Sequence, residues 1–411
     1  MGEPVPGPSG LAARISRGLA PFLCALLLAA DASQGTALIQ RGLTALREGH
    51  LAEARRTLEE ASRLDAKNPY AWTSLAQIYF RLKEPAKAFA AAITAEKLDG
   101  GNPVVCHALA MYYSEAGEYA SAARFEETFA RSPQADPGAV TRAAGLYMNA
   151  GDAAHALPLA RRAAAQDASP LAENLLGRAL IATGNDAEGT RHLTLAWEGA
   201  KTDPQIAFDF TQAALKAGDF TRAADAAAAA RAANPKDAQL TLALGVARYG
   251  QRRFEDAIVE FLKTIGIDPR IDRPYLFLSR MLDQAGAHLE EIVRDDEAWA
   301  ARNPQNAKAQ LALAMSLLAV NNKDARAEAL LGRAVALEAG DWESHYQLGV
   351  VLESKHDYAR AAAELNKSIA LDGKQPMPHY HLARVYDRMG EKEKAAAERE
   401  IHQRLTAPGG P

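Results

Sequence analysis

The sequence repeats itself every 34 residues, and that period constrains the fold more than any other property of the chain. Trp72-Thr-Ser-Leu-Ala-Gln-Ile-Tyr79 is followed 34 residues on by Cys106-His-Ala-Leu-Ala-Met-Tyr-Tyr113, and the layout returns over Val140 to Tyr147. Eleven units can be placed, starting at Gly35, Pro69, Pro103, Pro137, Pro170, Pro204, Ala238, Asp272, Ala307, Trp342 and Pro376. The fourth is one residue short and the eighth and ninth are one long, slips expected to fall in turns. Such an array replaces the two or three separate domains that 411 residues would otherwise suggest.

Two slots of the unit hold small side chains. The eighth reads Gly42, Ala76, Ala110, Ala144, Gly177, Thr211, Gly245, Ser279, Ala314, Gly349 and Ala383. The twentieth reads Ala54, Ala88, Ala122, Ala156, Gly189, Ala223, Ala257, Ala327, Ala361 and Ala395, and only Glu291 breaks the set. Where two helices cross, Gly or Ala lets the axes approach toward about 8 Å, and a Leu would hold them apart. Between these slots Gly49, Gly117, Gly151, Gly184, Gly218, Gly286 and Gly390 suit a left-handed residue closing a helix. Helix starts are written as Asn68-Pro69, Asn102-Pro103, Asp136-Pro137, Ser169-Pro170 and Asp203-Pro204, a side-chain cap ahead of an N1 proline. Each unit therefore reads as a helical hairpin, and the chain as all-α. A carboxylate at Glu291 facing a crossing must find a partner or shift the helix, so a local distortion is expected there.

These residues resemble the tetratricopeptide repeat family. The series Trp72, Leu75, Ala76, Tyr79, Ala88, Ala95 matches that family's pattern, as do Leu176-Gly177, Leu244-Gly245 and Leu348-Gly349. The resemblance covers about residues 35–405 within an array of 33–405, with 406–411 as a flexible tail. It departs at Glu291, at Arg41 where Leu is usual, and at the three length changes. It implies an α-solenoid of about eleven stacked hairpins in a right-handed superhelix whose first helices line a groove. By the same resemblance, the second, fifth, ninth and twelfth slots project into that groove. Here they supply Tyr70, Phe80, His107, Met111, Met148, Asn174, Arg178, Phe208, Gln212, Tyr249, Arg280, Tyr346, Tyr380 and Arg384.

Aromatics, Met and Arg concentrate binding energy at interfaces, so a protein or peptide partner is expected in the groove. Tyr346 and Tyr380 share a slot in adjacent units and are expected side by side as a hot spot. The Lys and Asn clamp with which some family members hold a C-terminal carboxylate is not found. Asn174 and Arg178, four apart on one helical face, with Arg280 and Arg384 in comparable slots, could hold acidic groups without it.

The first residues read as a separate element. Arg14 and Arg17 precede an apolar run from Leu19 to Ala30, then Asp31, Ala32 and Ser33, the layout of a secretory signal peptide over residues 1–32. Small residues at Ala30 and Ala32 place cleavage after Ala32. Twelve apolar residues make about 18 Å of helix, short of a bilayer core of about 30 Å, so any membrane contact is confined to this leader if it stays uncleaved. A periplasmic or secreted protein, bacterial in origin, is the expectation. Pro21, Phe22 and Leu23 ahead of Cys24 do not suit a lipoprotein signal, and Cys106 alone remains in the mature chain.

Chemistry is absent from the motifs. No phosphate loop, H-E-x-x-H pair or G-x-S-x-G elbow occurs, so no catalytic residue, metal or cofactor is expected. His379 and His381 fall on different sides of a helix, and Cys106, in the slot of Trp72, reads as a buried inert thiol. Paired arginines such as Arg55-Arg56 and the acidic run Asp295-Asp296-Glu297 read as solvated helix faces. With 47 basic against 51 acidic residues, bulk attraction to nucleic acid is excluded. The sequence thus describes a non-catalytic, exported scaffold. Two other readings stay open: a cytoplasmic cochaperone-like adaptor whose leader is misassigned, and an enzyme with an unrecognised site in the superhelical cavity.

Overall fold

The computed structural model describes residues 34–407. The leader, its cleavage site and residues 408–411 lie outside the described residues. Among the described residues there is no strand, and no helix is long and apolar enough to cross a membrane. The helices fall into two compact units divided between Ala200 and Lys201.

In the first, α1 (Gln34–Arg47) pairs with α2 (Leu51–Leu64), α3 (Pro69–Arg81) with α4 (Pro85–Asp99) and α5 (Pro103–Glu115) with α6 (Tyr119–Ala130). The series continues with α7 (Ala139–Asn149) on α8 (Ala153–Gln166) and α9 (Pro170–Ala182) on α10 (Asp186–Gly199). In the second, α11 (Pro204–Lys216) pairs with α12 (Phe220–Ala233) and α13 (Ala238–Gly250) with α14 (Phe254–Ile267). Then come α15 (Arg273–Leu278), two 3-10 turns (Leu282–Gln284 and Gly286–His288) and α16 (Leu289–Arg302). The unit closes with α17 (Ala307–Val320) on α18 (Ala327–Leu337), α19 (Trp342–Ser354) on α20 (Tyr358–Leu371) and α21 (Pro376–Met389) on α22 (Lys392–Thr406). Within each compact unit every hairpin also packs on the next, so its core runs along the stack.

The small slots are the helix crossings. Every Ala at the twentieth slot is 0% exposed, and all eighth-slot residues are buried except Ser279, which is half-buried. What the glycines make room for is a large side chain at the twenty-fourth slot. A β-carbon on Gly42 would lie 2.5 Å from Leu58 Cγ, and on Gly245 2.7 Å from the Phe261 ring. The same holds for Gly349 against Leu365, at 2.7 Å.

Turn chemistry follows the sequence with named exceptions. The seven turn glycines all have positive φ, and Lys83, Arg252 and His356 take the same position at φ near 60° without being Gly. Asn68, Asn102 and Asp203 accept backbone N–H groups at 3.0–3.4 Å as caps. Ser169 makes no capping bond, although Pro170 is the first helical residue. Asp136 is not a cap either: its carboxylate accepts from Gly138 N and Arg142, and α7 begins two residues after Pro137. The residue missing from the fourth unit is lost in the turn 167–169, and the extra residue of the ninth falls in the connection 321–326.

The eighth unit departs most. Its first helix stops after six residues, and the chain crosses 279–288 in 3-10 turns. α16 buries Ile292, Asp296 and Trp299, each one position later than Ala88, Ala92 and Ala95 of the second unit. The inserted residue is thus absorbed ahead of α16, which turns Glu291 off the crossing. Glu291 is half-exposed and pairs with Arg294 at 3.2 Å and His288 at 3.8 Å. The distortion expected at Glu291 lies instead in the segment before it. With no small pair at the crossing, α15 and α16 lack the close backbone packing of the other hairpins, and the Tyr275 and Trp299 rings stack between them at 4.6 Å. Trp299 Nε1 donates to Asp272 at 2.9 Å.

The acidic run is a second correction. Glu297 is exposed and pairs with Arg326 at 2.8 Å, but Asp295 is half-buried and Asp296 is 1% exposed.

Candidate interaction surface

The residues nominated for partner contact are placed by the first helices of successive units, and many serve packing. His107 is 7% exposed, its Nδ1 lies 2.7 Å from Glu126 Oε2, and its ring stacks on Phe129 at 4.4 Å. Arg142 donates to Glu126 at 2.7 Å and to both oxygens of Asp136, which closes a buried charge network and holds the Asp136 carboxyl below its ordinary range. His107 is therefore enclosed rather than open to a partner. Asn174 is 2% exposed and Arg178, one turn on, is half-buried and engaged within the fold. Phe80 meets Tyr112 of the next unit edge-on, the Tyr70 hydroxyl accepts from the Asn102 amide at 3.4 Å, and Tyr249 sits between Phe254 and Phe277. Met111, Met148 and Phe208 are half-buried. Gln212, Arg280, Tyr380 and Arg384 remain exposed.

The fourth slot has a packing role that the sequence did not reveal. Its side chain bonds a carbonyl six residues earlier: Trp72 Nε1 to Ala66 O at 2.9 Å, Cys106 Sγ to Gly100 O at 3.1 Å and Tyr275 hydroxyl to Pro269 O at 3.2 Å. His345 and His379 do the same through Nε2, at 3.1 and 3.3 Å, while Nδ1 faces Glu364 and Glu398 of the partner helix. His379 is thus a structural latch. Cys106 is buried, which pushes its thiol up to about 11 and keeps it protonated at neutral pH. Among the described residues no group of three or more His, Cys, Asp or Glu could hold a metal ion.

The last two units gather the exposed aromatics. Tyr346 and Tyr380 share a neighbouring ring. His381 stands between them, edge-on to Tyr346 at 5.7 Å and to Tyr380 at 5.3 Å, and His402 of α22 closes the other side of Tyr380 at 5.5 Å. Arg384 lies over the Tyr380 ring at 5.6 Å. Glu353 fixes the group from the preceding unit: Oε2 is 2.6 Å from His381 Nδ1 and Oε1 is 3.2 Å from Arg384. The Tyr380 side chain stays 41% exposed, beside Met377 at 44%. Burial pushes the Tyr346 phenol up, with the Glu353 and Glu343 charges adding to it. Burial likewise raises Glu343, with Asp341 adding, while the positive charges of Lys308 and Arg280 oppose it. His381, Glu353 and His402 were not legible as site residues: the stacking of one unit on the next recruits the first two, and the pairing of α22 with α21 recruits His402.

The family model for the tetratricopeptide repeat matches residues 39–103, 208–270 and 311–376. Those segments are tetratricopeptide repeats. No curated protein matches the chain. Among solved structures, the chain is similar to the Cut9–Hcn1 hetero-tetramer of the APC/C at 15% identity, over 94% of this chain and 89% of that one, with a TM-score of 0.45. A tetratricopeptide repeat protein from Parabacteroides merdae is 18% identical over 59% of this chain and 97% of its own, with a TM-score of 0.45. Yeast Tom70 is 14% identical over 92% and 93%, with a TM-score of 0.39.

Proposed function

We propose that the chain is a non-catalytic scaffold that binds a protein or peptide along the first-helix face of its repeats, with the tenth and eleventh units as the main anchor. The observation that carries this reading is the Tyr346–His381–Tyr380 group. Large aromatic side chains are held in place by Glu353 and Arg384, yet the Tyr380 ring is left open to solvent. Pre-ordered Tyr and Arg side chains lose little entropy on docking and bury large areas, which is how a few residues come to dominate an interface.

A photo-crosslinking residue at position 380 tests this in the native host. Adducts with a partner are expected there and not from position 400, on the exposed face of α22; equal labelling at both, or none at 380, removes the reading. We also read residues 1–32 as an export leader, which places the partner in the periplasm or outside the cell. Sequencing the mature N-terminus should return Ser33, and an intact Met1 would end that part of the proposal.

A further inference from the structure

We propose that Asp296 makes the seam between the eighth and ninth repeats a pH-dependent joint, closed while its carboxyl carries a proton and loosened once it ionises. The inference is independent of partner binding and rests first on geometry. Asp296 lies on α16, 1% exposed, and its carboxylate has no charged partner; the one polar group turned toward it is the neutral Ser316 hydroxyl, whose hydrogen is already given to Leu313 O. An ionised carboxylate in that position has lost its water and gained at most one neutral hydroxyl in return.

The groups around it supply no compensating cation. On α16 itself the neighbour is Asp295, another acid, which pairs with Arg294 at 3.4 Å. From α17 comes the Ser316 hydroxyl, whose hydrogen goes to Leu313 O at 3.1 Å. The one charged residue of α17, Lys308, is bound to Asp341 at 2.5 Å. From α15 comes Tyr275, which donates to Pro269 O and accepts from Arg302 at 3.0 Å. The 3-10 turns bring Asp283, which is exposed, and His288, which faces Glu291. Burial pushes the Asp296 carboxyl up to about 7; the Ser316 hydroxyl works against that shift and the Asp295 charge with it.

The position of this group makes its ionisation consequential. The eighth repeat is the one whose first helix is broken, and α16 gains its main backbone packing from α17, so the seam carries the load that a close hairpin carries elsewhere. A closed-state value near 7 against about 3.9 in the open state means that the closed seam holds the proton more tightly. Its added stability is fully present below about pH 4 and is lost as pH rises through 7.

Hydrogen–deuterium exchange of the full chain over residues 289–320, corrected for intrinsic rates, tests this. Between pH 5 and pH 8 the opening equilibrium of that segment should rise about 10- to 100-fold. In Asp296→Asn, or Asp296→Leu should the first variant fail to fold, that rise should vanish. An equal rise in the wild type and the variant overturns the proposal, as does flat exchange over 289–320 in the wild type alone.

Discussion

A β-carbon on Gly177 would stand 2.9 Å from the carbonyl oxygen of Gly189 and 2.7 Å from Leu193 Cγ. Here the first and second helices of a repeat meet backbone to backbone, and no rotamer change can open the space. Gly177→Ala should therefore destabilise the fold by about 1–3 kcal/mol. Gly266, in α14, has nothing within 4 Å of its missing β-carbon, and Gly266→Ala should stabilise by about 0.5–1 kcal/mol through helix propensity. Urea midpoints of the two variants should move in opposite directions.

Lys83 and Arg252 hold the left-handed turn position at φ 60° and 59° that Gly takes in seven other repeats. Each carries a β-carbon into a region that costs it about 1 kcal/mol. Lys83→Gly and Arg252→Gly should each raise the urea midpoint, by an amount equivalent to about 0.5–1 kcal/mol. A fall in either midpoint would show that the side chain contributes more than its backbone costs.

Arg142 is the positive group between Glu126, which is 2% exposed, and Asp136. Removing it leaves a buried carboxylate with His107 alone, so Arg142→Leu should cost about 3 kcal/mol at pH 7. The hydrogen bond from Arg142 lowers the Asp136 value, so the stability it brings is present above about pH 4 and is lost as pH falls through the folded value. Unfolding measured from pH 5 down to pH 2 should show a shallower acid loss in the variant.

Tyr380→Ala removes an exposed ring without opening the core, so the melting temperature should hold. Partner capture should weaken about tenfold or more, the scale of an aromatic hot spot. Glu353→Gln should weaken capture less, by loosening His381 and Arg384. Affinity measured by titration against the cross-linked partner separates the two; an unchanged affinity in Tyr380→Ala would move the binding surface elsewhere.

The hairpins, their crossings and most of their turns were legible because each depends on residues close in sequence: Gly49 closes α1 and Asn68 opens α3 by contacts within a few positions. The break in the eighth repeat was not. A period records that a residue has been added, not where, and only the burial of Ile292 in place of Glu291 locates the insertion ahead of α16. The interaction surface was legible as a set of slots but not as a group. His107 carried the right residue type in the right slot and was drawn into the core by Glu126, nineteen positions away. His381 was weighed only as a metal partner for His379, and it contacts both tyrosines.

That irregular repeat also bears on how the chain finds its fold. Ten near-equivalent hairpins could, in principle, dock with a neighbour one step out of order, since each presents the next with a similar face. The eighth presents a different face: its first helix is six residues long, and Tyr275 and Trp299 stack between α15 and α16. A neighbour docked one step out of order at that point would meet a mismatched face, so the irregular repeat disfavours a slipped register in the second half of the sequence.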